Sequence, residues 1–152
     1  MMKRLNYRDL FGLFGDPATQ EGKDKIKNSL VTIISPFDLS NGQNKILCHD
    51  YIAGSYISAL NDILNYYGEQ FIIDNGLNEF NGCFCHRKIS GAGDWWSIHS
   101  WGLAVDHMAS RGPYGKPPLL PMHFVEAFID NGFGWGGRWK IPDGMHFSVT
   151  GG

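Results

Sequence analysis

The chain of 152 residues lacks any long apolar run. The longest, around Leu30 to Ile34, is far short of the roughly 20 residues a membrane-spanning helix needs, which excludes membrane insertion by a helix. It opens Met-Met-Lys-Arg, but Asn6, Arg8 and Asp9 break up the next stretch, so the apolar centre of an export signal is missing too. The expectation is a protein made in the cytoplasm. Cysteine is scarce and odd in number (Cys48, Cys83 and Cys85), which argues against a disulfide framework and for buried, reduced thiols. Cys83 and Cys85 would share one face of a strand. No charge of one sign dominates: the net charge is −2, the loose basic cluster from Lys23 to Lys27 reads as solvated surface, and nothing forms a nucleic-acid footprint. Internal repeats, low-complexity tracts and the helix-borne HExxH zinc motif are also missing.

What the chain does have is glycine (20 residues) and aromatic side chains (14%), a combination that suggests many loops and a ring-lined site. The length suggests one domain over 1–152, with the chemistry carried by a core of about 50–149. The first fifty residues read as loops with short strands, among them a buried strand at Leu30-Val31-Thr32-Ile33-Ile34. From Asp50 to Tyr67, apolar residues recur at three- and four-residue spacing (Ile52, Tyr56, Leu60, Ile63, Tyr67), which predicts an amphipathic helix capped by Asp50 and ended by Gly68. Further strands are expected at Phe71-Ile72-Ile73, from about Cys83 to Ile89, from Gly102 to Asp106 and from Met145 to Val149. A second helix should open at Pro121, place Met122, Val125, Phe128 and Ile129 inward, and end at Gly132. Few strands are separated by crossover helices, so the expected class is α+β: a small antiparallel sheet with helices packed on one side.

Two segments carry the chemistry. Ser97-Ile98-His99-Ser100-Trp101-Gly102-Leu103-Ala104-Val105-Asp106 is followed forty residues on by Gly134-Trp135-Gly136-Gly137-Arg138-Trp139 and Asp143-Gly144-Met145-His146-Phe147. Catalytic zinc takes three protein ligands from His nitrogen and carboxylate oxygen and leaves a fourth position for water. His99, Asp106 and His146 supply such a set. The seven-residue gap fits a loop ligand followed by a strand ligand with Gly102 at the bend, and His146 could reach the same point from a neighbouring strand. Asp143, in the turn before that strand, is placed to act as general base. Arg87 is the best cation for a developing oxyanion. Trp101 and Trp135 read as packing residues, whereas Trp96 and Trp139 are candidates to line a cleft.

The patterns SxHxxGxAxD, GFxWGGxW and DxMHF resemble the M15 family of zinc peptidases, which includes D-alanyl-D-alanine carboxypeptidases and the L-alanyl-D-glutamate endopeptidases of phage endolysins. The short chain and the Asp-x-x-His ending are most similar to the endolysin branch, and the resemblance is best over about Arg87 to Phe147. It implies an α+β zinc domain of the hedgehog/DD-peptidase type and one zinc ion on His99, Asp106 and His146. It further implies Asp143 as base, and Arg87 and Ser97 as substrate contacts. The chain departs from many relatives at Ser148 and at His107-Met108-Ala109, which bears on the peptide groove.

His49, His86, His107 and His123 read as core or surface histidines, and Cys48-His49 with Cys83 and Cys85-His86 as a poor rival metal set. The expected activity is hydrolysis of the stem peptides of peptidoglycan, by an endolysin-like endopeptidase or a D,D-carboxypeptidase. The alternatives are a non-catalytic zinc module that binds wall peptides or a protein partner, and an exported enzyme of wall metabolism. The expected partner is the stem peptide, and the expected state is a monomer, free or carried by a virion or delivery machine.

Overall fold

The computed structural model describes residues 2–89, 91 and 93–151. Two short helices, α1 (Asp9–Phe14) and α2 (Gln20–Asn28), occupy a region whose sequence suggests loops and strands. Helices this short carry little periodicity, and neighbours rather than propensity hold them. The hydroxyl of Thr19 starts α2 by accepting the N–H of Gly22.

Strand β1 (Leu30–Ile34) pairs antiparallel with β2 (Lys45–His49), from Leu30 opposite His49 to Ile34 opposite Lys45. The strand at Leu30–Ile34 is therefore present, but of its residues only Ile33 is buried. A two-stranded sheet covered on one face turns alternate side chains to solvent. Helix α3 (Asp50–Tyr67) begins directly after β2 and has the expected bounds. Its cap is His49, whose Nδ1 accepts the N–H of Tyr51, and Asp50 is instead the first helical residue, favourable beside the positive end of the helix.

Helix α4 (Glu69–Asp74) replaces the strand expected at Phe71-Ile72-Ile73. Three β-prone residues cannot fix a period, and one face of this helix buries Ile72 while Phe71 and Ile73 stay exposed. The remaining strands, β3 (Phe80–Gly82), β4 (Ala104–His107), β5 (Gly134–Trp135) and β6 (His146–Ser148), form an antiparallel sheet in the order β3-β4-β6-β5. The class is thus α+β with small antiparallel sheets, two rather than one.

The strand expected from Cys83 to Ile89 is largely absent, because its backbone groups bond elsewhere. The N–H of Cys85 reaches the carbonyl of His99, the N–H of Arg87 reaches the hydroxyl of Ser100, and only Lys88 forms a bridge, to Trp96. Cys83 is consequently buried and Cys85 exposed, rather than both facing one way, so the expectation of buried thiols fails at Cys85. Helix α5 (Met122–Asp130) begins after Pro121 and buries Val125 and Phe128 as expected, but it also buries Phe124 and leaves Met122 exposed.

The core lies between α3, α5 and one face of the four-stranded sheet. Tyr56, Phe124, Phe128, Phe133 and Phe147 are all fully buried, and the rings of Phe128 and Phe147 stack with centroids 4.3 Å apart. Alternation along β4 and β6 sends Val105 and Phe147 into this core and their neighbours Asp106 and His146 to the opposite face.

Candidate metal centre

The first candidate ligand sits on a tight turn. Residues Ile98–Trp101 form one 3-10 turn, capped by Ser97, whose hydroxyl accepts the N–H of His99. The turn is anchored by Trp101, fully buried, whose indole N–H donates to the carbonyl of Gly15 at 2.8 Å. It ends at Gly102, with φ of 69°, where a Cβ would lie 2.9 Å from a Leu30 methyl and 3.0 Å from the backbone nitrogen of His49. Only glycine suits both the left-handed conformation and the close approach. The bend then delivers the chain into β4.

The other two candidates come from register. Asp106 on β4 lies directly opposite His146 on β6, and cross-strand partners on one sheet face are near neighbours. His99 Nε2 lies 3.1 Å from Asp106 Oδ2, and His146 Nδ1 lies 3.3 Å from Asp106 Oδ1. One donor atom from each of His99, Asp106 and His146 falls within 4.8 Å of the others. Among the described residues, Cys48, His49, Cys83, Cys85 and His86 form no comparable group.

Several details fit a cation here. His99 Nδ1 donates to the carbonyl of Cys83 at 2.7 Å, which fixes the ring and turns Nε2 towards Asp106 as the candidate ligand atom. Asp106 Oδ1 is buried without a hydrogen-bond partner. Burial pushes the Asp106 carboxyl up, but the imidazoles of His146 and His99 outweigh burial and hold it well below the usual carboxylate range. A nitrogen–oxygen donor set around an ionised carboxylate matches the preference of zinc.

Asp143 stands in the turn before β6. Its N–H donates to the carbonyl of Gly136, and its carbonyl accepts the N–H of His146. One carboxylate oxygen, Oδ1, is buried without a partner. Burial raises its pKa above the ordinary value, the Asp106 charge adds to that, and His146, His99 and Arg87 act against it. Gly136 makes this placement possible, since a Cβ there would lie 2.6 Å from the Asp143 carbonyl oxygen and 3.3 Å from the Cβ atoms of Asp143 and His146.

The remaining candidates are more dispersed. Arg87 is exposed, and its Nη1 makes only a 3.5 Å approach to the carbonyl of Lys88. Trp139 sets its ring 5.2 Å from that of His146 and so borders the cluster. Trp96 instead neighbours His86 at 4.8 Å and the Lys88 ammonium at 5.5 Å. Trp101 and Trp135 are buried packing residues, as expected. His107 is fully buried and bonded to the Tyr56 hydroxyl at 2.6 Å, while His123 stacks on Tyr66 at the surface. Two contributors escape a reading of the sequence. The carbonyl of Cys83 is a backbone group and leaves no signature in the side-chain pattern, and Gly136 signals only a turn.

A family model of the M15 peptidase type, described as D-alanyl-D-alanine carboxypeptidase, matches residues 90–149. That segment contains His99, Asp106, Asp143 and His146, and begins three residues after Arg87. No curated protein and no solved structure gives a significant match to the chain.

Proposed function

We propose, from the match of residues 90–149 to the M15 peptidase model, that the chain is a peptidase of that type and hydrolyses a peptide bond in the stem peptides of peptidoglycan with one zinc ion held by His99, Asp106 and His146. The observation that carries the proposal is the convergence of three donor atoms from three separate places in the chain. The partnerless carboxylate oxygen of Asp143 lies in the turn leading to the third of them.

Zinc bound there would supply Lewis acidity, polarising the scissile carbonyl and lowering the pKa of a bound water towards about 7. Asp143 accepts the proton of the attacking water at its carboxylate and returns it to the departing amine. Its burial supports that role, because a carboxylate whose pKa is raised is a stronger base. The Cys83 carbonyl keeps His99 in one tautomer throughout. Ser97, already an acceptor from His99 N–H, can still donate its own hydroxyl proton to a substrate carbonyl. Arg87, on the exposed segment leading to the turn, is the cation assigned to a developing oxyanion or a substrate carboxylate. Trp139 forms a wall beside His146.

Whether the bond cut is internal, as in an endolysin-like L-alanyl-D-glutamate endopeptidase, or terminal, as in a D,D-carboxypeptidase, is read from the products. Purified protein, loaded with zinc or stripped by chelator, is incubated with peptidoglycan, and the released ends are identified by mass spectrometry. New amino ends or free D-alanine in the zinc-loaded sample alone are expected. Their absence from the zinc-loaded sample would leave a non-catalytic zinc module.

A further inference from the structure

An open groove of about 460 Å³ lies outside the metal cluster, lined by Tyr7, Phe11, Gly93, Asp94 and Trp95. That is within the range of small-ligand pockets. Its floor is rigid. The Tyr7 hydroxyl donates to the carbonyl of Trp96 at 2.8 Å and accepts the N–H of the same residue at 2.9 Å. The Tyr7 ring meets Phe11 edge-on at 5.5 Å and Trp101 at 5.9 Å. Trp95 stands against this floor with its ring 5.1 Å from Tyr7, yet 54% of it is exposed. At the rim, the fully exposed Asp94 carboxylate is paired with Lys88 at 3.1 Å.

We infer that this groove binds a sugar ring of the glycan strand that carries the stem peptide. A pyranose is apolar on its C–H faces and polar around its edge. The groove has the same layout, with aromatic faces inside and a carboxylate and an ammonium at the edge. Its position fits as well. The N–H of Ile89 donates to the carbonyl of Trp95, and the N–H of Ser97 to that of Arg87, so one short ribbon carries the groove wall at Trp95 and runs on into the turn of His99. His99 is the fourth residue after Trp95, which keeps their Cα atoms within roughly 14 Å. In the wall polymer the peptide hangs from a sugar, so a sugar subsite belongs within a few residues of the peptide site. The inference rests on the peptidase reading for the identity of the polymer, but binding to the groove itself requires no hydrolysis.

The test uses the zinc-loaded full chain and a peptide-free probe, the β-1,4-linked trimer of N-acetylglucosamine, titrated while the indole N–H resonances are followed by NMR. The Trp95 resonance is expected to shift with saturation. Trp95→Ala should bind roughly tenfold more weakly, about the worth of one aromatic stack, while Trp95→Phe, which keeps a ring, should recover most of the loss. The ratio of cleavage rates on glycan-borne and free stem peptide should fall in Trp95→Ala. No saturable binding, equal binding by Trp95→Ala, or a Trp95 shift with free stem peptide and none with the trimer would overturn the inference. Cleavage of peptidoglycan without sugar binding refutes the groove alone. Sugar binding without any cleavage refutes the peptidase and leaves the groove.

Discussion

Replacing Gly136 by alanine puts a methyl group 2.6 Å from the carbonyl oxygen of Asp143. The φ of Gly136 lies outside the left-handed region, so the backbone itself tolerates alanine and the effect is one of space. To reach an ordinary 3.4 Å contact, the Asp143 turn must retreat by about 0.8 Å. It cannot do so freely, because its N–H is bonded to the carbonyl of Gly136 itself. A misplacement near 1 Å of a catalytic group lowers turnover by about 10²-fold, and overpacking of this kind costs roughly 1–3 kcal/mol of stability. Gly136→Ala should therefore fold with a lowered Tm, retain close to one zinc per chain and lose most of its kcat. The assays are metal analysis after gel filtration, steady-state kinetics on a synthetic stem peptide and thermal unfolding. A variant with full metal content and a kcat within about twofold of the parent would refute the claim that Gly136 sets the position of the base.

Asp143→Asn should keep its metal and lose about 10²–10⁴-fold in kcat, the usual worth of a general base, whereas His146→Ala should lose metal and activity together. Metal analysis beside kinetics separates the two, and a fully active Asp143→Asn would remove Asp143 from the mechanism. A thiol reagent at pH 8 should modify one cysteine of the native protein, the exposed Cys85, and all three after unfolding. Burial pushes the Cys48 thiol up to about 12 and that of Cys83 well above its ordinary range. Rapid labelling of two or three thiols in the native protein would contradict this placement. Burial also holds His49 below its ordinary value against the pull of Asp50, so the unfolded chain takes up the proton first as pH falls. Stability from this group is complete above about pH 6.5 and is lost below it, because a protonated Nδ1 cannot accept the N–H of Tyr51. His49→Asn, which caps without titrating, should flatten that part of the urea-unfolding profile, and an unchanged profile would count against the cap.

The α3 helix is legible because eighteen residues of three- and four-residue spacing leave only one phase that buries Tyr56, Leu60 and Ile63. The His99, Asp106 and His146 set is legible in residue type and spacing, and Gly102 marks the bend between its first two members. What joins them is not. The pairing of Asp106 with His146 is a matter of register between strands forty residues apart. The orientation of His99 depends on a backbone carbonyl at Cys83. The stretch from Cys83 to Ile89 has the composition of a strand, yet it gives its hydrogen bonds to the turn that holds His99, so tertiary contacts overrule its local pattern. The same holds for Phe71-Ile72-Ile73, where burial of one isoleucine in a helix prevails over three β-prone side chains.

A crystal structure of the zinc-loaded protein, with the ion located by its anomalous scattering, decides whether His99, Asp106 and His146 hold the metal. One zinc is expected at about 2.0–2.2 Å from His99 Nε2, an Asp106 oxygen and His146 Nδ1, with its remaining position open to water and facing Asp143. Zinc bound at other residues, or a fourth protein ligand closing that position, would contradict this assignment.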